Sequence, residues 1–319
     1  MTQSAGKIRW QAILAFGLVY VLWGSTYLGI RIAVENIPPL MMGGTRFLAS
    51  GAIMLAWRAA TGSPIRVSAR DLLRLTVIGV LLLCVGNVGL GWAETMIPSG
   101  LAALLIAITP IWFLLLEHFS RRGDHISRSG IVGIVMGLTG VVVLIWPDLT
   151  GAVHVGRMQL LGAAVLMVSS FAWAGGSVLS KRWHIAVDPY TASGWEMITA
   201  GAINLALSLA VGDLHRTVWA RNSVWAIVYL VIAGSMIGFT AYVWLLRNVP
   251  TPKVATYAYV NPIVAVFLGW LVLGEKITPY IATGSVVVIA SVAIVTRAKA
   301  HSAPEDEAAE LPPVEASSD

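Results

Sequence analysis

Three ionisable residues stand in or at the end of long apolar runs: Arg46, Glu94 and Glu196. A charge inside a bilayer is costly, so each is a functional candidate. The Arg46 guanidinium matches a carboxylate in a two-bond fork. That makes it either a docking point for a substrate carboxylate or a packing clamp on carbonyls and one acid. Glu196 is either a cavity group that binds an amine or a proton, or a carboxylate paired across helices. Arg46 and Glu196 enter their runs from opposite sides, and their depths differ by about 10 Å in a hydrocarbon core about 30 Å thick. That distance disfavours a direct ion pair, so Glu94 or Glu35 is the expected partner of Arg46. Glu94 joins Glu196 as a candidate for proton coupling.

Two prolines interrupt apolar runs at matching places, Pro110 in IPSGLAALLIAITPIWFLLLE (97–117) and Pro262 in VPTPKVATYAYVNPIVAVFLGW (249–270). A proline within a helix frees the carbonyl four residues earlier, here those of Ile106 and Ala258. In lipid a freed carbonyl needs a protein or water partner. Interrupted hydrophobic segments at corresponding positions of two halves point to a transporter's binding site. Asn261 and its counterpart Thr109 stand beside these breaks. Trp23 and Trp173 lie about 10 Å inside their runs at 1.5 Å per residue, deeper than an interfacial belt. They form either aromatic walls for a flat or cationic substrate or helix packing. Ser25, Thr26, Asn87, Ser177, Tyr257 and Tyr259 add hydrogen-bonding groups to the same candidate cavity, each with helix–helix bonding as its alternative role.

The elements that must position these residues are membrane helices. The 319 residues are 57% hydrophobic and 12% charged, where a soluble globular chain carries about 25% charge. Ten spans are expected: 10–30, 39–57, 72–93, 99–117, 129–146, 160–180, 190–212, 224–246, 252–273 and 279–296, each near the roughly 20 residues that cross a bilayer. The run at 10–30 is too long for a cleaved signal and reads as a retained helix. Trp23 and Trp173, Pro39 and Pro189, Gly44 and Gly194, and Gly51 and Gly201 match at a shift of 150; Pro98 and Pro250, Pro110 and Pro262, and Trp92 and Trp244 match at 152. Five spans per repeat is an odd number, so the second repeat is inverted relative to the first, and the site falls between the halves. The expected fold is all-α and polytopic, with repeats at 1–147 and 148–297 and a disordered acidic tail at 298–319. That tail has six acids and one lysine. With the N-terminus inside, fifteen Lys and Arg fall on the inner side and five on the outer, so both termini are expected to be cytoplasmic. Gly130, Gly133, Gly137 and Gly140 line one side of the fifth span as a packing or dimer surface.

Trp23-Gly24-Ser25-Thr26-Tyr27, Pro38-Pro39, Arg46-Phe47, Glu94, Pro98-Ser99-Gly100, Thr109-Pro110, Tyr257 to Pro262 and Gly274-Glu275 together resemble the EamA family of the drug/metabolite transporter superfamily. The resemblance covers residues 10 to about 297. It implies ten helices in two inverted five-helix repeats, a central cavity, and movement of small metabolites such as amino acids or drugs across the bacterial inner membrane, often outward. Glu196 stands where the first repeat has Arg46, so the halves differ in the group they can bind.

Other classes lack their motifs. No Walker A run is present, so energy comes from a gradient or from the substrate. A membrane enzyme would show H-E-x-x-H or G-x-S-x-G; instead the six histidines lie at span ends, in loops or in the tail. A channel would offer rings of charge. The single cysteine, Cys84, leaves no disulfide or cysteine metal cluster. The expected partners are a small-molecule substrate and the bilayer, with no nucleic acid, no cofactor and no metal, in a monomer or a homodimer.

Overall fold

The structure is a computed structural model that describes residues 2–119, 127–149, 156–183, 185–249, 254 and 256–302. Arg121, Arg122, His125, His154, His184, Pro250, Lys253 and the prolines and acids of the tail lie outside them. Helix α1 is Thr2–Val34 and α2 is Pro39–Ala60. Helix α3 runs through three joined segments: Ala69–Gly79, a π-helical stretch Val80–Val88, and Gly89–Glu94. Helix α4 comprises Ser99–Ile106 and Thr109–His118, broken between them. Then follow α5 (Arg128–Leu149), α6 (Gly156–Arg182) and α7 (Pro189–Ala210). After a 3₁₀ turn, Asp213–Arg216, helix α8 again has three segments: Arg221–Tyr229, π-helical Leu230–Gly238, and Phe239–Asn248. Helices α9 (Tyr257–Leu273) and α10 (Pro279–Ser302) complete the described chain.

Among the described residues eight helices are long and apolar enough to cross a membrane, rather than ten. Helix α9 is apolar but has only 17 residues. Helix α7 has 22 residues, and its Ser193, Glu196, Asn204 and Ser208 dilute its apolar character. Helix α10 reaches five residues into the expected disordered tail, where Ala298, Lys299 and Ala300 favour helix. The outer surface is apolar: Leu14 and Val21 on α1, Val135 and Leu138 on α5, and Phe267 and Leu271 on α9 are exposed. A soluble protein does not present apolar surface on this scale, whereas lipid covers it at no cost. Trp57, Trp92, Trp219 and Trp225, exposed near helix ends, suit the two membrane interfaces.

Local chemistry sets the helix starts. Pro39 and Pro189 each occupy the first position of their helix, where a missing N–H costs nothing. The Asp188 carboxylate accepts the N–H groups of Tyr190 and Thr191 and so caps α7. The Ser68 hydroxyl accepts the N–H of Asp71 and caps α3. Pro110 is the second residue of the new segment after the α4 break. The Ile106 carbonyl that it leaves free accepts the Thr109 hydroxyl at 2.6 Å. Pro262 behaves differently: α9 continues through it from Tyr257 to Leu273, so the expected second break is absent.

Helices α2 and α7 pack more extensively than any other described pair. They run antiparallel with backbones close. A Cβ on Gly44 would meet the Leu205 N–H at 2.8 Å, one on Gly51 the Ile198 N at 2.8 Å, one on Gly201 the Leu48 N at 2.5 Å, and one on Gly194 the Leu55 side chain at 2.6 Å. These contacts exchange under the 150-residue shift, since Leu205 answers to Leu55 and Ile198 to Leu48. The π-helical stretches obey it too, Val80–Val88 answering to Leu230–Gly238. The glycines of α5 face α10: Gly133, Gly137 and Gly140 lie against Val295, Ser291 and Val288, and the Ser291 hydroxyl donates to the Gly133 carbonyl at 2.6 Å. That stripe is filled within the chain, which removes it as the basis for a dimer surface.

Candidate functional site

Arg46 is buried on α2. Its Nη1 donates to Asn87 Oδ1 at 3.1 Å and its Nε to Ser235 Oγ at 3.4 Å. Asn87 lies on the π-helical stretch of α3, and Ser235 lies on that of α8, so one guanidinium ties both stretches together. The Thr26 methyl and Arg46 Nη2 border the same spot at Gly234. Among the described residues the ion pairs are Arg58–Asp188, Arg74–Asp71 and Arg216–Asp213, all at helix ends. Among the described residues Arg46 has no carboxylate partner, so the expected pairing with Glu94 or Glu35 does not occur. The reason is axial: Glu94 stands seven residues beyond Asn87 on α3, about 10 Å at 1.5 Å per residue.

Beside Arg46 lies an aromatic cluster. Trp23 donates its indole N–H to the Gly234 carbonyl at 3.2 Å. Its ring centroid is 4.8 Å from Tyr242 and 5.3 Å from Tyr257, and Tyr242 and Tyr257 are 5.8 Å apart. The three rings touch one another edge-on or tilted, a favoured arrangement for aromatic groups. Ser25 bonds the Tyr229 hydroxyl and its own helix carbonyls. Thus Trp23, Ser25, Thr26, Arg46, Asn87 and Tyr257 share one region, between α1, α2, α3, α8 and α9.

The remaining sequence candidates are placed elsewhere. Trp173 packs on Gly86 in the π-helical stretch of α3, the mirror of Trp23 against Gly234 and Gly238. Ser177 donates to the Trp173 carbonyl and Thr109 to that of Ile106, so both hydroxyls are spent on their own helices. Tyr259 faces Thr296 and Arg297 on α10. Two residues from Tyr257 on a helix, it points nearly opposite, because each residue turns the helix by about 100°. Asn261 is buried with its Oδ1 unpartnered, and its backbone carbonyl lies against Gly24.

The two acids flank Arg46. The constant register of α2 against α7 sets Arg46 level with Ile203, seven residues from Glu196, which again is about 10 Å. On α3 the Glu196 carbonyl meets Gly79, eight residues before Asn87. Glu94 lies on the other side of Arg46, is fully buried, and has no hydrogen-bond partner on either carboxylate oxygen among the described residues. Arg31 donates to the Glu94 backbone carbonyl, and Arg31, Glu275 and Tyr27 are within electrostatic reach of its side chain. A cleft of about 250 Å³ opens beside it, lined by Arg31, Glu35, Thr95, Pro98 and Glu275 among others. Glu275 caps α4 from the far repeat, accepting the Ser99 N–H, the Ser99 hydroxyl and the Gly100 N–H at 2.7, 2.8 and 3.0 Å.

Sequence reasoning missed Ser235, Tyr242, Tyr229 and Tyr27. The first three lie in or beside π-helical turns, and an altered helical pitch leaves no mark in residue type. Tyr27 was legible as part of the Trp23 motif, yet only packing shows its approach to Glu94.

A model of the EamA-like transporter family matches residues 10–146 and 160–297. The chain belongs to the EamA-like transporter family. This EamA-like protein is 38% identical over 286 residues to the inner membrane transporter YedA of Escherichia coli, covering 88% of this chain and 89% of that one. It is 23% identical to the transporter YoaV of Bacillus subtilis, over 85% of this chain and 91% of the other. It is 25% identical to an Escherichia coli protein named as a probable amino-acid metabolite efflux pump, over 88% and 93%. A solved crystal structure superposes with a TM-score of 0.64 at 20% identity, covering 92% of this chain and 99% of that one, a likeness in fold. The EamA-like chain is therefore a multi-pass membrane transporter and not an enzyme.

Proposed function

We propose that this chain is a secondary transporter of the bacterial inner membrane, exporting small metabolites such as amino acids or drug-like compounds by alternating access. The observation that carries the reading is Arg46: a buried guanidinium held by two neutral acceptors, with no carboxylate partner among the described residues. A buried cation with no opposite charge beside it is costly, so it invites an anion from outside the protein. A carboxylate fits the guanidinium fork. Trp23, Tyr242 and Tyr257 offer apolar and aromatic contact for the rest of the molecule. The relative named for amino-acid metabolite efflux supports both the amino-acid class and the outward direction.

Ten helices in two inverted five-helix repeats, 1–147 and 148–297, with a cytoplasmic tail from 298, remain the architecture of this proposal. The exchanged glycine contacts of α2 and α7 and the matched π-helical stretches support it. The excess of Lys and Arg on the inner side supports cytoplasmic termini. The carrier binds substrate through Trp23, Thr26, Arg46, Asn87, Ser235 and Tyr257, and Glu94 and Glu196 serve proton coupling. Uptake of a labelled amino-acid and metabolite panel into proteoliposomes, with and without a proton gradient, tests it. Saturable uptake that Arg46→Gln abolishes is expected. Uptake of a panel member that Arg46→Gln leaves unchanged would sink the binding-site assignment.

A further inference from the structure

We propose that Arg46 is the electrostatic plug of a proton path whose outer and inner ends are Glu94 and Glu196, and that an anionic substrate bound to Arg46 lifts the plug. The proposal rests on the carrier reading above and adds to it the physical basis of coupling. Three buried ionisable groups follow one another along the bundle at steps of about 10 Å: Glu94, Arg46 and Glu196. Their formal charges alternate, and among the described residues none pairs with another. A positive charge fixed in a membrane pathway excludes protons, as an arginine does in selective pores. Anion binding cancels that charge, so a proton would pass only when substrate is present.

Each end has its own surroundings. Around Glu94 the charged and titratable groups are Arg31 and Tyr27 of α1 and Glu275 after α9. Three residues that line the outer cleft bracket it: its neighbour Thr95, Arg31 and Glu275. The cleft carries two carboxylates, Glu35 and Glu275, against one arginine, and so favours cations. Tyr27 is within electrostatic reach of both Glu94 and Tyr257, which links the outer acid to the ring cluster beside Arg46. Around Glu196 no charged or titratable side chain among the described residues acts on the carboxyl. Toward the inner end stand two ion pairs, Arg58 with Asp188 at 3.2 Å and, on α3, Arg74 with Asp71 at 3.4 Å. A carboxyl so placed has a proton as the ligand that removes its charge. The step balances simply: Glu94 takes a proton from water at the outer face, and Glu196 gives one up to water at the inner face.

The test needs no substrate. Proteoliposomes holding a pH-sensitive dye receive an acid jump outside, and the inward proton flux is followed. Wild type and Arg46→Lys are expected to be tight. Arg46→Gln is expected to leak about tenfold faster. Adding Glu94→Gln or Glu196→Gln to Arg46→Gln is expected to restore tightness. A tight Arg46→Gln protein, shown folded by a single size-exclusion peak, overturns the proposal. So does a leak that survives removal of either acid, which would mark a damaged fold or bilayer. Substrate counterflow in wild type reports the carrier function separately from any of these outcomes.

Discussion

Arg46, the proposed anchor for a substrate carboxylate, also ties two helices together. Its bonds to Asn87 and Ser235 join segments of opposite repeats. A substrate carboxylate would compete for the same N–H groups, so binding and release of the π-helical stretches are linked. Arg46→Lys keeps the charge but loses the fork, and its transport should fall about tenfold, while Arg46→Gln should abolish transport; initial rates at matched protein density check this. Where α2 ends beside the start of α7, Arg58 pairs with Asp188 at 3.2 Å and lies over the rings of Trp57 and Tyr190. Desolvation alone would raise the Asp188 carboxyl, but the Thr191 hydroxyl and N–H, then Arg58 and the Tyr190 N–H, together hold it below the ordinary aspartate value. Its contribution to stability is therefore present above the unfolded aspartate value and lost as pH falls through the lowered one. Asp188→Asn keeps the cap and loses the ion pair, so near neutral pH it should cost less than about 1 kcal/mol. That difference from wild type should vanish in acid, as unfolding in detergent at several pH values would show.

At the scale of elements, the close packing of α2 on α7 depends on glycine. A Cβ on Gly201 would lie 2.5 Å from the Leu48 N, a backbone atom that cannot yield alone. Gly201→Ala should destabilise the protein by about 1–3 kcal/mol, read as a lowered midpoint in thermal unfolding, whereas Gly17→Ala on α1, with open space around it, should not. Much of this level was legible in sequence. The shared shift of Gly44, Gly51, Gly194 and Gly201 marked a repeated contact, although glycine alone does not say which helix it meets. The different depths of Arg46 and Glu196 were legible as well, because helical rise converts residue number into distance. The π-helical stretches of α3 and α8 were not, and with them went Ser235. Nor did the prolines reveal that α4 breaks while α9 runs on through Pro262, since neighbours decide whether a freed carbonyl is tolerated.

For the whole molecule, family membership follows from a 38% identical relative and a family match on both halves. The interlocking of the halves agrees with a shared pathway: α1 lies on α8 and α9, and α6 lies on α3 and α4. Each of α1 and α6 also brings a tryptophan to a π-helical stretch, Trp23 at Gly238 and Trp173 at Gly86. In the alternating access proposed above, one set of contacts would rock open as the mirror set closes. The most direct test of a carrier is exchange. Proteoliposomes preloaded with an unlabelled member of the amino-acid panel are diluted into a trace of the same compound, labelled, and internal label is followed with time. The account predicts a transient overshoot that depends on the preloaded compound, saturates with concentration, and disappears in Arg46→Gln. A flux that rises linearly with concentration and ignores what is loaded inside would contradict it, because a pore gives that result and an alternating-access carrier does not.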